Sequence, residues 1–236
     1  MTFEPARFYD RYWAARDRPR AEARSRERGV LAARLLREAG PACLRVLDAG
    51  CGPGWALEEL ARAGFQSIGA DVSPAAVEEA RSRGLEARVA DLAGPPSDLR
   101  RAVGGPFDAV LLLEVLEHLL DPLAAMRAAA GLLVPGGLLA VSLPNEASLP
   151  SRLRMLAGRL PFGGHDDPHV RHFDRRLARR LFAEARACVL AERPLGIVPP
   201  SWKLVRTAAA PLVALAPGAF SIASIYILRP ESPRAP

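Results

Sequence analysis

The sequence predicts an α/β fold in which helices cover a parallel sheet, and three observations lead there. Short apolar runs alternate with segments of helical period from residue 20 to about residue 145. One of those runs, FDAVLLLEVLEH, is unbroken, as a strand covered on both faces must be. The 236 residues contain no internal repeat and no sign of a second hydrophobic core.

Residues 20–39 place Val30, Leu31, Leu35 and Leu36 at helical spacing among charges, which predicts a surface helix ending at Gly40-Pro41. LRVLDAG (44–50) is a strand that stops at a glycine cluster, and WALEELARA (55–63) is the helix after it, closed by Gly64. FQSIGAD (65–71) is the second strand; Ser73-Pro74 caps a helix running to Arg83, which Gly84 ends. LEARVAD (85–91) is the third strand. The Gly/Pro-rich stretch 92–106 reads as a connection into the fourth, buried strand. Asp121-Pro122 opens a helix to about Leu133, Pro135-Gly136-Gly137 turns the chain, and LLAVSLPN is a fifth strand. From 146 to 172 the alternation breaks. A helix over 174–185 and strands over 188–193 and 221–229 follow.

Half the residues are hydrophobic and a quarter charged, which excludes fibrous and disordered classes. The net charge is +6, and Lys203 is the only lysine among 32 basic residues. Arginine pairs well with phosphate, yet an arginine-rich solvated surface has the same composition, so the charge alone does not indicate nucleic acid. Cys43, Cys51 and Cys188 form no C-x-x-C pair, which argues against a disulfide framework or zinc site and fits a reducing, cytoplasmic setting. The N-terminal stretch reads as neither a secretory signal nor a transit peptide.

Asp48-Ala49-Gly50-Cys51-Gly52-Pro53-Gly54 sets glycines at alternate positions between strand and helix. Glycine admits positive φ and close ligand approach, and the helix beyond it presents free N–H groups. The spacing is neither a dinucleotide fingerprint, since Trp55 stands at the third glycine position, nor a P-loop, which needs a lysine. Asp71 and Asp91 close the next two strands. Each alone reads equally as a cap or a surface charge; with the glycine loop they describe one adenosine site at the carboxyl edge of the sheet, a carboxylate accepting from a ribose diol.

VLDAGCGPG, IGADVS, VADL, FDAVLLLEVLEHLLDP and LLVPGGLLAVSLPN resemble, in order and spacing, the class I S-adenosylmethionine-dependent methyltransferases, over about residues 44–145. The resemblance implies a doubly wound, Rossmann-like seven-stranded sheet of order 3-2-1-4-5-7-6 with the last strand antiparallel. N-terminal lid helices would occupy 1–40 and the methyltransferase domain 41–236, with 146–172 as an acceptor-side insertion. It also implies S-adenosylmethionine as cofactor. Asp48, Gly50, Cys51, Gly52 and Gly54 would line its methionine end, Asp71 would hold the ribose, Val72 would pack on the adenine ring, and Asp91 and Leu92 would flank the adenine. Glu114 would face both cofactor and acceptor.

Methyl transfer from a sulfonium is an in-line displacement, so alignment and exclusion of water supply most of the rate. His118, beside Glu114 and Glu117, is the candidate base for a hydroxyl acceptor; its alternative is a packing role at the pocket wall. Glu114-x-x-Glu117-His118 also has plausible divalent-metal ligands, but the same string occurs in relatives that look metal-free, so no metal is assigned. His165, His169 and His172 crowd into GGHDDPHVRHFD, which resembles the H-x-R-x-F stretch bordering the acceptor pocket; His169 or Arg171 is the candidate contact, and a metal cluster or a plain capped loop are the alternatives. FYDRYW (8–13) resembles the family's lid, or else it staples the first helix to the sheet.

The uncharged stretch Thr207–Leu228 is long enough to span a bilayer, but Pro211, Pro217 and Gly218 interrupt it and its end alternates like a strand. It predicts no spanning helix; its end suits the hairpin strand that the resemblance implies, and a peripheral membrane-facing helix over 202–215 is the alternative reading. The function these features predict is methylation of a small-molecule acceptor, most simply at oxygen. The alternatives are a non-catalytic cofactor-binding partner subunit and an RNA methyltransferase, and LLLE and LPNE do not match the amine site of the latter.

Overall fold

A computed structural model of the chain describes residues 4–15, 17–40, 45–160, 168–196 and 203–231. Its strands are β1 (Arg45–Ala49), β2 (Gln66–Asp71), β3 (Ala87–Val89), β4 (Phe107–Leu113), β5 (Leu133–Pro144), β6 (Ala187–Gly196) and β7 (Ser221–Pro230). They form one sheet of order β3-β2-β1-β4-β5-β7-β6. β1 to β5 are parallel, and β7 runs antiparallel to both β5 and β6. This is the expected doubly wound order, completed by the two late strands.

The helices are α1 (Pro5–Ala15), α2 (Arg18–Ala39), α3 (Trp55–Arg62), α4 (Pro74–Ser82), α5 (Pro96–Val103), α6 (Pro122–Ala130), α7 (Leu149–Leu156), α8 (Arg175–Glu184), α9 (Lys203–Leu215) and α10 (Pro217–Phe220). Successive strand residues point to opposite faces, so each central strand feeds two cores. On one face Leu47, Val110, Leu112 and Val141 pack with Leu99 of α5, Met126 of α6 and Phe182 of α8. On the other, Val46, Leu111, Ala140 and Ile225 pack with Leu35 and Leu36 of α2 and Leu60 of α3. The segment expected as a lid therefore holds two different elements, because α2 belongs to a core layer and α1 lies at the carboxyl edge of the sheet.

The helix starts expected at Ser73 and Asp121 are capped, and Asp174, read as the first residue of its helix, is the cap before it. Ser73 Oγ accepts from the Ala76 N–H at 3.1 Å, Asp121 Oδ1 from Ala124 at 2.9 Å and Asp174 Oδ1 from Leu177 at 2.8 Å. Two stretches differ from expectation. The 92–106 connection contains α5, whose Leu99 and Val103 fill the core from one helical face while the arginines between them face water. The Pro135-Gly136-Gly137 turn lies inside β5, which begins at Leu133: Phe107 pairs with Leu133 and Ala109 with Leu138, so the ladder absorbs the turn residues as an irregularity, with Gly136 at φ 78°. Within 146–172 the chain forms α7. Thr207–Leu228 divides among the end of α9, α10 and most of β7, and among the described residues no helix is long and apolar enough to cross a membrane.

Candidate active site

Asp48 pairs with Gly69 of β2 on one side and Leu111 of β4 on the other, at the centre of the sheet. Its carboxyl is 1 % exposed, and Oδ2 has no hydrogen-bond partner among the described residues. Burial, with the charge of Asp71 added, pushes it up to about 7. After β1 the backbone turns through Gly50, Gly52 and Gly54 at φ 92°, 52° and 85°, a path open to glycine. The Gly50 and Cys51 N–H groups donate to Ala70 O at 2.7 and 3.0 Å, which ties the loop to β2. Cys51 is buried and turns its Sγ against Gly69, so its thiol packs under the loop.

Asp71 accepts the Gly52 N–H on Oδ2 at 2.8 Å and the Ser73 N–H on Oδ1 at 2.9 Å. Burial raises its pKa, and these backbone donors oppose the shift. Val72 is half-buried next to it, and Leu92 packs against the core. Asp91 lies two residues beyond the short β3; it is exposed, and its Oδ1 accepts from Ala93 at 2.8 Å. The acceptor-rich edge, with an orphaned oxygen on Asp48, suits a ligand that brings an ammonium group and hydroxyl donors.

α1 covers this edge. Tyr9, Tyr12 and Trp13 stack in edge-to-face steps of 5.9 and 5.4 Å, and Trp13 continues to Trp55 at 5.8 Å. The Trp13 ring lies so close to Gly52 that a Cβ there would stand 2.5 Å from Cζ2. Asp10 Oδ1 anchors the helix by accepting from the Ser73 hydroxyl and, at 3.2 Å, from the Ala75 N–H. Burial first, then the charges of Asp71, Glu117 and Asp91, raise the Tyr9 phenol, which therefore stays protonated between the two halves of the site.

Beyond β4, Glu114 takes φ 56°, an uncommon value for a residue with a side chain. Its Oε2 accepts from Arg28 Nη2 of α2 at 2.7 Å, and its Oε1 accepts from the Ser142 hydroxyl of β5 at 2.9 Å. The predicted site carboxylate is thus held by an ion pair and a hydroxyl. Glu117, in the 3-10 turn Leu116–His118, is fully buried, with neither carboxyl oxygen partnered among the described residues. Burial, then the charge of Glu114, raise its pKa well above the usual carboxylate range.

The Glu117 carbonyl accepts from Val170 and Arg171, both at 3.0 Å, which brings the segment after the insertion against this turn. The His118 and His169 rings consequently lie 4.8 Å apart at 32°, and Tyr9 stands 6.2 Å from His118. The candidate ligand atoms of Glu117, His118 and His169 all fall within 4.8 Å of one another, a set that could hold a divalent cation. This differs from the metal-type string Glu114-x-x-Glu117-His118, whose first member is engaged by Arg28. His172 instead pairs through Nδ1 with Glu146 Oε2 at 2.7 Å, while Arg171 donates from Nε to the Leu120 carbonyl at 3.1 Å. His165, Asp166, Asp167 and Cys43 lie outside the described residues.

Sequence reasoning brought together Asp48, Asp71, the glycines, His118 and His169. It missed Arg28, one of several arginines in RSRERG with nothing local to single it out, and also Asp10 and Ser142.

A family model described as a methyltransferase domain matches residues 6–186. A ubiquinone biosynthesis O-methyltransferase of Xanthomonas axonopodis pv. citri is 41% identical over 132 residues, 53% of this chain and 55% of that protein. One of Cereibacter sphaeroides with the same description is 37% identical over 129 residues, 52% of each. The chain thus spans about half the length of these curated relatives. Among solved structures, magnesium protoporphyrin IX methyltransferase of Synechocystis PCC 6803 with bound SAH has a TM-score of 0.61 at 20% identity, covering 89% of this chain and 84% of that one. A SAM-dependent methyltransferase of Archaeoglobus fulgidus has a TM-score of 0.55 at 19% identity, covering 86% and 94%. These structural likenesses are likenesses of fold.

Proposed function

The chain belongs to the methyltransferase domain family, whose model covers residues 6–186, and from that premise we propose that it transfers a methyl group from S-adenosylmethionine to an oxygen of a small-molecule acceptor. The observation that carries the reading is the juxtaposition under α1 of two half-sites. One is the glycine loop with the orphaned Asp48 oxygen and Asp71; the other is the Glu117, His118 and His169 cluster. Oxygen as the acceptor atom is supported by the description of the curated relatives as O-methyltransferases.

When bound, S-adenosylmethionine supplies a methyl group made electrophilic by its sulfonium. Asp48 partners the ammonium group with the oxygen that has no partner among the described residues, and Asp71 offers its remaining lone pairs to the ribose hydroxyls while it holds the loop. Val72 and Leu92 are the apolar contacts for the adenine. Tyr9, Tyr12 and Trp13 exclude water from the edge, which strengthens every polar contact beneath them. His118 accepts the acceptor's hydroxyl proton at a ring nitrogen, and His169 lines the same space. Arg28 and Ser142 fix Glu114, so its charge stays at the rim and is balanced.

Isothermal titration with S-adenosylmethionine, together with transfer of labelled methyl into hydroxylated small molecules, tests this. Asp71→Ala is expected to weaken cofactor binding at least about tenfold. His118→Asn is expected to lower turnover about a hundredfold with cofactor affinity kept. Unchanged affinity in Asp71→Ala would sink the cofactor assignment. Label recovered on nitrogen or carbon would sink the oxygen assignment.

A further inference from the structure

Nine of the fifteen large apolar side chains that are exposed among the described residues fall in two short segments, residues 149–160 and 204–215. In the first, every residue from Arg152 to Leu160 is exposed, and Leu156 reaches 84 %. In the second, Leu204 and Leu215 of α9 are 89 % and 85 % exposed. A soluble surface normally scatters such residues singly; a cluster of this size marks a surface that something covers.

The two segments leave the sheet at one place. Asn145, the residue after β5 on the way to α7, donates from Nδ2 to the carbonyls of Gly218 (3.0 Å) and Ser221 (2.8 Å), and its N–H donates to Ile222 O at 2.8 Å. The start of α7 and the α9–α10 corner are therefore pinned together at the carboxyl end of β5. That is the edge on which the glycine loop, Asp71 and Glu114 lie. α9 rests on the end of β6, where Val213 Cγ2 lies within 3.4 Å of the position a Gly196 Cβ would take.

Charge identifies the occupant. Residues 147–160 carry Arg152, Arg154 and Arg159 and no acid, and residues 203–220 carry Lys203 and Arg206 and no acid. The three arginines of the first segment form no ion pair among the described residues, in a chain whose other helices are laced with Arg–Glu pairs. A second copy of the chain would bring the same positive charge against itself. A bilayer with anionic headgroups complements it, and leucines flanked by arginines are the pattern of a helix lying in the interface. We infer that α7, the residues after it to Leu160, and α9 form one surface that docks on an anionic phospholipid bilayer, with the candidate active site opening at its rim. The membrane-facing helix over 202–215 that the sequence offered as an alternative is one half of this surface, and Trp202 lies outside the described residues.

The test is co-sedimentation of the full chain with vesicles of phosphatidylcholine alone and of phosphatidylcholine mixed with phosphatidylglycerol, at low and high salt, with light scattering on the free protein. Binding is expected at least about tenfold tighter to the anionic vesicles and weakened by salt. R152Q/R154Q/R159Q is expected to lower it roughly a hundredfold, about fivefold per charge. L156S/L215S is expected to lower binding to the same vesicles, with the folded protein's circular dichroism unchanged because both side chains are exposed. The Val30→Ser variant, on α2, is expected to bind as wild type. Equal binding to both vesicle types, wild-type binding by both multiple variants, or absence of binding would overturn the proposal. So would a concentration-dependent dimer that L156S/L215S abolishes, which would assign the surface to self-association.

Discussion

Asp48→Asn is the substitution for which the structure gives a magnitude and a sign. In the folded chain the carboxyl titrates at about 7 against an ordinary 3.8, because burial and Asp71 disfavour its charge. Between those two values the folded state holds a proton that the unfolded chain has lost, so the stability contributed by this group falls as pH rises from about 4 to 7 and is level above that. About 3 pH units at 1.36 kcal/mol each make roughly 4 kcal/mol by pH 8, of which roughly 1.5 is already lost at pH 5. Asparagine keeps the shape and carries no titrating proton. Relative to wild type, Asp48→Asn is therefore expected to gain about 2–3 kcal/mol between pH 5 and pH 8, or roughly 4–12 °C in Tm for a chain of this size. Urea unfolding of both proteins at the two pH values measures it. The same variant should bind S-adenosylmethionine more weakly at pH 8, since a neutral amide replaces the carboxylate proposed to meet the ammonium group. A stability difference between the two proteins that does not change with pH would refute the reasoning. It would mean that water or a nearby donor solvates the Asp48 oxygen.

Two further outcomes follow from the lid and the rim. Gly52→Ala places a side chain at φ 52° and drives a Cβ against the Trp13 ring, so it should cost about 1–2 kcal/mol in urea unfolding and change the tryptophan emission as α1 is displaced; unchanged emission would count against contact between α1 and the loop. Arg28→Ala leaves the Glu114 carboxylate with the Ser142 hydroxyl alone and removes a charge that lowers the Glu117 pKa, so a loss of about 1–3 kcal/mol is expected for this partly buried pair, mostly restored by adding Glu114→Gln in a double-mutant cycle.

Where a feature is encoded by neighbours in the chain, the sequence carries it. The glycine loop needs positive φ at alternate residues, the caps at Ser73, Asp121 and Asp174 bond to N–H groups three residues on, and the apolar runs of β1 and β4 fit strands buried on both faces. All of these are settled within a few residues, so they were legible. Where a competing local signal was weaker than packing, it misled. Pro135-Gly136-Gly137 does turn the chain, with Gly136 at φ 78°, yet β4 pairs with Leu133 before the turn and Leu138 after it, so the turn sits inside a strand. Pro95-Pro96 and two arginines obscured an eight-residue helix whose Leu99 and Val103 are fixed by the core.

The sequence by itself therefore determined the sheet, its crossovers and the acids at the strand ends, because each is set by backbone preference and apolar period. Tertiary structure alone decided which side chains meet: Arg28 with Glu114 across 86 positions, His118 beside His169, α1 over Gly52, and the two exposed helices at one edge. Those encounters depend on the closure of long loops and on how two cores pack on the faces of the sheet. No local spacing encodes that, and it leaves Glu117 buried in a 3-10 turn within a string that reads as one continuous strand.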